Sequence, residues 1–313
     1  MRPGFFIEQY KHIFDKRFNE MEMKSEMKPV SISEQLLFNT VRLQTKTGSG
    51  TGFFYNFKIG DKIVPTIITN KHVVNNKQLE EVTFYLHFCD NDNDEPTSNN
   101  KIMLKTPWYF HPTKDLCFTF INPVITAVEK QQGKKVFYKA NDESIIPTQD
   151  QLNDLNALEE LVMVGYPIGL WDERNNFPIF RKGFTASHPA IDFNEDGIGL
   201  VDMACFPGSS GSPIYILNEG GYKDKKGNLQ WGKSRIYFIG ILFAGPVTDA
   251  EGDIYVREIP TAQQKLEAHT SIMTNLGYYI KTSELNAFKP IIEKEISAME
   301  KMTNNRPDSF KSL

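Results

Sequence analysis

Between Leu36 and Thr282 the apolar residues come in short β-branched and aromatic runs: "TVRLQT", "GTGFFYNF", "VPTIITN", "VTFYLHF", "CFTFIN" and "LVMVGYP". Gly, Asn, Asp or Pro punctuates them, a pattern of many antiparallel strands. A second set follows, "IGLVDMACF", "SPIYILN", "RIYFIGILFAG" and "LGYYIKT". The polar stretch Ile145 to Glu160, just ahead of "LVMVGYP", has weak helical character and suits a crossover between two halves. Two β-rich halves of similar size fit an all-β double barrel with short helices at each end. The expected boundaries are a helical extension over 1–35, a first barrel over 36–150, a second over 151–283, and a helix and tail over 284–313. In the first of these, Phe5, Phe6, Tyr10, Ile13, Phe14 and Phe18 lie at helical spacing, which predicts an amphipathic helix over 5–28 ending before Pro29. At the other end Ser283 is the expected N-cap of a closing helix.

The 313 residues carry a net charge of -4 with Lys and Arg scattered, so neither nucleic acid nor an anionic membrane is the expected partner. A protein or peptide substrate is expected instead. The apolar patch before Glu8 is too short for a signal-peptide core and no later run reaches bilayer-spanning length, which predicts a cytoplasmic protein. Cys89, Cys117 and Cys205 cannot all pair and lack metal-ligand spacing, so buried reduced thiols are expected and neither metal nor cofactor is.

Three separated fragments bear chemistry. In "IITNKHVVNN" an apolar strand stops at Thr69 and Asn70, and His72 follows at once, a position suited to a general base. A lone His is as readily a surface or core residue. In "PWYFHPTKDLCFTF" Asp115 stands between a turn and a buried strand, where a histidine N–H would satisfy its carboxylate; capping the preceding turn would explain it equally. His111, four residues earlier, is a competing base with a poorer strand-end context. In "CFPGSSGSPIY" Gly208 permits a sharp turn that aims the amides of Gly208 and Ser210 at one spot, and Gly211 lets the chain leave without crowding a substrate.

The ordered set resembles the trypsin-like (chymotrypsin-fold) serine proteases, particularly a disulfide-free intracellular bacterial branch related to Deg/HtrA-type proteases. His72, Asp115 and Ser210 follow the family order, separated by 43 and 95 residues. "TNKHVV" stands for Thr-x-x-His, "GSSGSP" for Gly-x-Ser-Gly-Gly-Pro, and "GSGTGFFY" for the Gly-rich strand before the histidine. The likeness runs from about Leu36 to Thr282 and implies two antiparallel six-stranded barrels. It implies a serine endopeptidase with Ser210 as nucleophile, His72 as base and then acid, Asp115 as orienting carboxylate, and the amides of Gly208 and Ser210 as oxyanion hole.

Departures from the family pattern refine this. Ser209 stands where zymogen-type relatives carry an Asp, which argues against activation by a new amino terminus. Ser212 replaces a Gly. Ala204 occupies the place of the Asp that selects basic side chains in trypsin, so the implied pocket, Ala204, Cys205, Phe206, Phe243, Ala244 and Gly245, suits a small or medium apolar residue. "GYPIG" and the following residues resemble a Deg-type loop that shapes the active-site entrance; Arg174 and Arg181 on it fit solvated charges better than substrate contacts. About thirty residues at each end are too few for an appended peptide-binding domain.

Two other readings stay open: a catalytically silent module that binds a peptide or partner in the groove, and a latent protease switched by a regulatory partner through the terminal helices. "DNDNDEP" and "DFNEDGIGLVDM" approach calcium-loop patterns but lack required ligands, so hairpin turns are expected.

Overall fold

A computed structural model describes residues 21–23, 27–92, 95–253 and 267–304. The first half holds nine strands: β1 (Met21–Glu22), β2 (Thr40–Gln44), β3 (Ser49–Ile59), β4 (Lys62–Thr69), β5 (Leu79–Cys89), β6 (Ser98–Pro107), β7 (Tyr109–Phe110), β8 (Cys117–Phe120) and β9 (Lys135–Phe137). They form one sheet in the order β1-β6-β5-β2-β3-β4-β8-β7, with β9 beside β5. Burial alternates along β5, where Val82, Phe84 and Leu86 enter the core; period-two alternation buries one face of a strand.

The second half is a closed barrel of β10 (Glu160–Gly165), β11 (Ile179–Thr185), β12 (Ile198–Asp202), β13 (Pro213–Asn218), β16 (Arg235–Ala244) and β19 (Leu276–Lys281), in the order β10-β11-β12-β19-β16-β13. Two hairpins are inserted, β14 (Gly221–Lys223) with β15 (Leu229–Trp231) and β17 (Val247–Asp253) with β18 (Glu267–Met273). The chymotrypsin-like all-β expectation holds, with six closed strands in the second half and an open half-barrel in the first. There β7 is only two residues long, and Pro107, which has no N–H to donate, ends β6 beside it, so no ladder joins the two edges.

One core cluster spans both halves, taking Phe53, Tyr55 and Phe118 from the first and Val162, Tyr215 and Phe238 from the second. Beneath it, Asn141 Nδ2 donates to Tyr215 Oη at 2.7 Å and Tyr215 Oη donates to Asn39 Oδ1 at 2.9 Å. Such satisfied buried networks fix one register between packed layers.

The helices differ from expectation in detail. Most of the predicted 5–28 helix lies outside the described residues, and its described part at Met21–Glu22 is a strand paired with Asn99 and Ser98. Helix α1 (Ile32–Leu36) starts at a capping box of Ser31 and Glu34. The pattern of strands gave no expectation of α2 (Asn122–Gln132), although Pro123 in its first turn and Gly133 at its end, φ +68°, are start and stop signals. Helix α3 (Gln149–Asn153) occupies the crossover. At the end Ser283 does not cap: it lies inside a 3-10 turn, Thr282–Phe288, that leads into α4 (Lys289–Asn304). Phe288 and Ile292, one turn apart, are buried in the cluster shared by both halves; each such side chain contributes roughly 1.5–3 kcal/mol.

The three cysteines are buried, and no disulfide joins them. No helix among the described residues is long and apolar enough to cross a membrane, and no metal-ligand cluster occurs among them. The 192–203 stretch makes a turn with Phe193 N–H donating to Ile198 O at 2.9 Å, and residues 93 and 94 of the other acidic loop lie outside the described residues.

Candidate active site

Strand β4 ends at Thr69, and Asn70, His72, Val73 and Val74 continue into a 3-10 turn, His72–Val74. Val73 and Val74 are buried, which pins the turn while His72 stays accessible. Gly50 makes room for it, since a Cβ there would sit 2.6 Å from a Val73 methyl. Antiparallel pairing of β4 with β8 sets Thr69 opposite Cys117 and so carries Asp115 alongside the turn.

His72 Nδ1 lies 2.5 Å from Asp115 Oδ2, and the His72 amide donates to Asp115 Oδ1 at 3.3 Å. Asn70 Nδ2 donates to the Asp115 carbonyl at 2.7 Å. An ionised carboxylate only accepts, so Nδ1 is the donor in this pair, and in a neutral ring the lone pair then lies on Nε2. That is the tautomer a general base needs.

His111 has another task. It is buried; its Nδ1 accepts from the amides of Thr113 at 3.2 Å and Lys114 at 2.9 Å, and its Nε2 donates to Glu284 O at 3.2 Å. Burial lowers its pKa, which keeps the ring neutral. It therefore braces the turn that presents Asp115 and ties it to the carboxyl-terminal 3-10 turn.

The opposing wall is the turn 207–211. Pro207 O accepts from the Ile168 amide at 2.5 Å, Gly208 O from Thr51 Oγ1 at 3.0 Å, Ser209 O from the Ser212 amide at 3.0 Å, and Ser210 O from the Thr51 amide at 2.8 Å. A trans peptide is planar, with C=O and N–H opposed. The Gly208 N–H therefore points away from Ile168, and the Ser210 N–H away from Ser212. Among the described residues neither of these amides has a backbone acceptor, whereas the Ser209 amide donates to Phe206 O at 2.9 Å. Both donors are therefore left without a backbone acceptor and are fixed in direction. Gly208 sits at φ +91°, where a Cβ would lie 2.5 Å from Tyr166 O, so only glycine fits.

Among the described residues Ser210 Oγ makes no hydrogen bond to His72, and the buried Ser209 Oγ has no hydrogen-bond partner. Ser212 Oγ donates to Thr51 Oγ1 at 3.2 Å, inside the wall.

Of the pocket candidates, Ala204 and Phe206 remain accessible, while Cys205 is buried with Met203, Val201 and Leu242, and burial pushes its thiol up to about 12. Leu242, just before Phe243, Ala244 and Gly245, is bonded to the 207–211 turn through Gly211 N–H to Leu242 O at 2.8 Å. Gly277 of β19 supplies a neighbour that sequence reasoning missed: a Cβ there would lie 2.5 Å from Cys205 Sγ. The Arg181 guanidinium stacks 4.9 Å over the Phe206 ring, and Arg174 O accepts from Asn99 Nδ2 at 2.9 Å. Thr51, Asn70 and the bracing role of His111 were also missed. For Thr51 the available signal was a hydroxyl between two glycines in an otherwise apolar strand.

Comparison with solved structures returns an inactive form of Rv3671c from M. tuberculosis H37Rv, at 12% identity over 92% of this chain and 98% of that one, TM-score 0.40. A thermostable serine protease, AL20, from an extremophilic microorganism matches at 11% identity over 83% and 98%, TM-score 0.41. The MamO protease domain from Magnetospirillum magneticum matches at 10% over 82% and 98%, TM-score 0.36. No curated protein matches. Residues 50–221, more than half of the sequence, match the family model described as a trypsin-like peptidase domain, and the chain belongs to that family.

Proposed function

We propose that the protein is a serine endopeptidase. Ser210 Oγ attacks the substrate carbonyl carbon as His72 Nε2 takes its proton, and the C–O bond forms while the carbonyl becomes an oxyanion. The Gly208 and Ser210 amides donate to that oxygen, and removal of one such donor lowers rates by about 10²–10³ in comparable enzymes. His72 then returns the proton to the departing amine as the C–N bond breaks. Water, activated by His72, releases the acyl group. Asp115 holds the imidazole and stabilises its cationic form throughout.

Support comes from one observation: the His72–Asp115 pair at 2.5 Å follows Thr69, which Thr51 joins to a turn whose two amides lack a backbone acceptor and are fixed in direction. Ala204 at the pocket position carries no charge, so a small or medium apolar residue before the cleaved bond is expected; efficient cleavage after Lys or Arg in a peptide-library digest would rule that out. The substrate is a protein or peptide.

The missing Ser210 Oγ to His72 bond favours, as a second reading, a silent module that holds a peptide without cutting it. Apo enzymes often have loose catalytic hydrogen bonds, so that geometry is compatible with activity. A fluorophosphonate separates the two. Labelling of the wild type that vanishes in Ser210→Ala establishes the enzyme, and no labelling of the wild type leaves the binding module.

A further inference from the structure

We infer that Thr51 is a positioning residue for the oxyanion side of the site, an inference that rests on the acyl-transfer reading above. Thr51 is fully buried on β3 in the first half, yet most of its polar contacts reach the second. Its hydroxyl donates to Gly208 O at 3.0 Å and accepts from the Tyr166 amide at 3.1 Å and from Ser212 Oγ at 3.2 Å. A hydroxyl has one proton and two lone pairs, and all three are used. The Thr51 amide donates to Ser210 O at 2.8 Å, and its carbonyl accepts from Thr69 Oγ1 at 2.7 Å.

Each bond lands on a segment that the chemistry needs. Thr69 ends the strand that presents His72. Tyr166 opens the loop whose Ile168 amide fixes Pro207 O, and hence the Gly208 N–H. Gly208 O belongs to the next peptide plane. The two planes meeting at Gly208 are thus held from opposite sides, one by Ile168 and one by Thr51. Glycine at φ +91° has no Cβ to restrain either plane, so these two bonds are what stop the oxyanion amide from swinging.

The close fit excludes simple substitutes. A Cβ on Gly165 would overlap Ser212 Oγ and come within 2.8 Å of Thr51 Oγ1, and one on Gly211 would overlap the Thr51 carbonyl oxygen. The hydroxyl is therefore closely packed on its Gly165 side and the carbonyl on its Gly211 side.

Thr51→Val keeps the shape and both backbone bonds, and so the register of Ser210, but releases Gly208 O and the Tyr166 amide. Thr51→Ser keeps the hydroxyl. The probe is a saturable fluorophosphonate, read as maximal labelling rate and half-saturating concentration, per folded molecule. The expected result for Thr51→Val is a maximal rate at least about tenfold lower, approaching the 10²-fold of a lost donor. Half-saturation should stay within about threefold, and Thr51→Ser should return to within about threefold of wild type. Should Thr51→Val lack a thermal transition, Thr51→Ala is read in its place. Wild-type labelling with an unchanged maximal rate in the hydroxyl-less variant overturns the proposal alone. So does a loss that Thr51→Ser fails to rescue. Absence of labelling in the wild type overturns the protease reading, and the positioning role with it.

Discussion

His72 and Asp115 come from adjoining strands of one sheet and hold each other through their own side chains, whereas residues 207–211 are held by Thr51, Ile168 and Leu242, none of which touches the chemistry directly. The first arrangement is local: β4–β8 pairing brings the two residues together, and Asn70 and His111 brace them from the same half. The second is distributed, and its geometry depends on how the two halves dock. Damage to the dyad should therefore abolish chemistry while sparing the fold, and damage around the turn should affect both.

The sharpest separation is Asp115→Asn. An amide at that position can present N–H to Nδ1 and reverse the imidazole tautomer, so a fall of about 10⁴-fold in turnover is expected. The urea midpoint should move little, since the carboxylate is partly exposed. Gly211→Ala tests the other wall. At φ +86° its Cβ would overlap the Thr51 carbonyl oxygen, so the loop or β3 must shift, at about 3 kcal/mol or more of stability with loss of labelling. Gly133→Ala is the control: φ is +68° with open space around it, and only about 1 kcal/mol is expected. Equal losses in urea denaturation would show that the 207–211 turn is not tightly held.

The same contrast explains what the sequence revealed. Strand runs, the order of His72, Asp115 and Ser210, and the glycines at 208 and 211 are local patterns, each tied to a backbone conformation or a titratable group. The supports are long-range. The flanking glycines mark Thr51 as unusual, but only the tertiary fold shows that its hydroxyl meets Gly208 across 157 positions. His111 looked like a rival base because burial and its two amide donors are tertiary facts. Closure of the first half was misjudged because strand runs reveal pairing partners but not whether the last edge meets the first. Gly277 escaped attention because it joins the pocket only through β12–β19 pairing, which sets it opposite Val201.

A further inter-half contact carries a pH dependence. His87 on β5 is buried among Phe38 and Phe177, and its Nε2 donates to Asn175 O at 2.9 Å, docking the 166–178 loop onto the first half. Burial depresses its pKa from 6.5 to about 4. The unfolded chain therefore binds the proton first. The stabilisation is complete above pH 6.5 and is lost as pH falls towards 4, about 3 kcal/mol in all. His87→Gln keeps a donor for Asn175 O and does not titrate. Urea midpoints of the two proteins should converge as pH falls from 7 to 4; a constant gap would remove His87 as the cause.

The smallest expected effect concerns Ile168, whose amide fixes the Pro207 carbonyl. It sits at φ 49°, ψ 23°, a left-handed conformation that a β-branched residue adopts only under strain of order 1–3 kcal/mol. Its side chain is 69% exposed, so little packing repays that strain. The constraint lies in the backbone: Ile168 N–H meets Pro207 O, and the next amide, Gly169 N–H, meets Tyr166 O at 3.1 Å. Asn tolerates the left-handed region and keeps the N–H, so Ile168→Asn should raise stability by about 1 kcal/mol in urea denaturation. A loss of similar size would mean that the isoleucine side chain, and not the two amide bonds, holds the loop, and the oxyanion wall would then depend on an apolar contact at its rim.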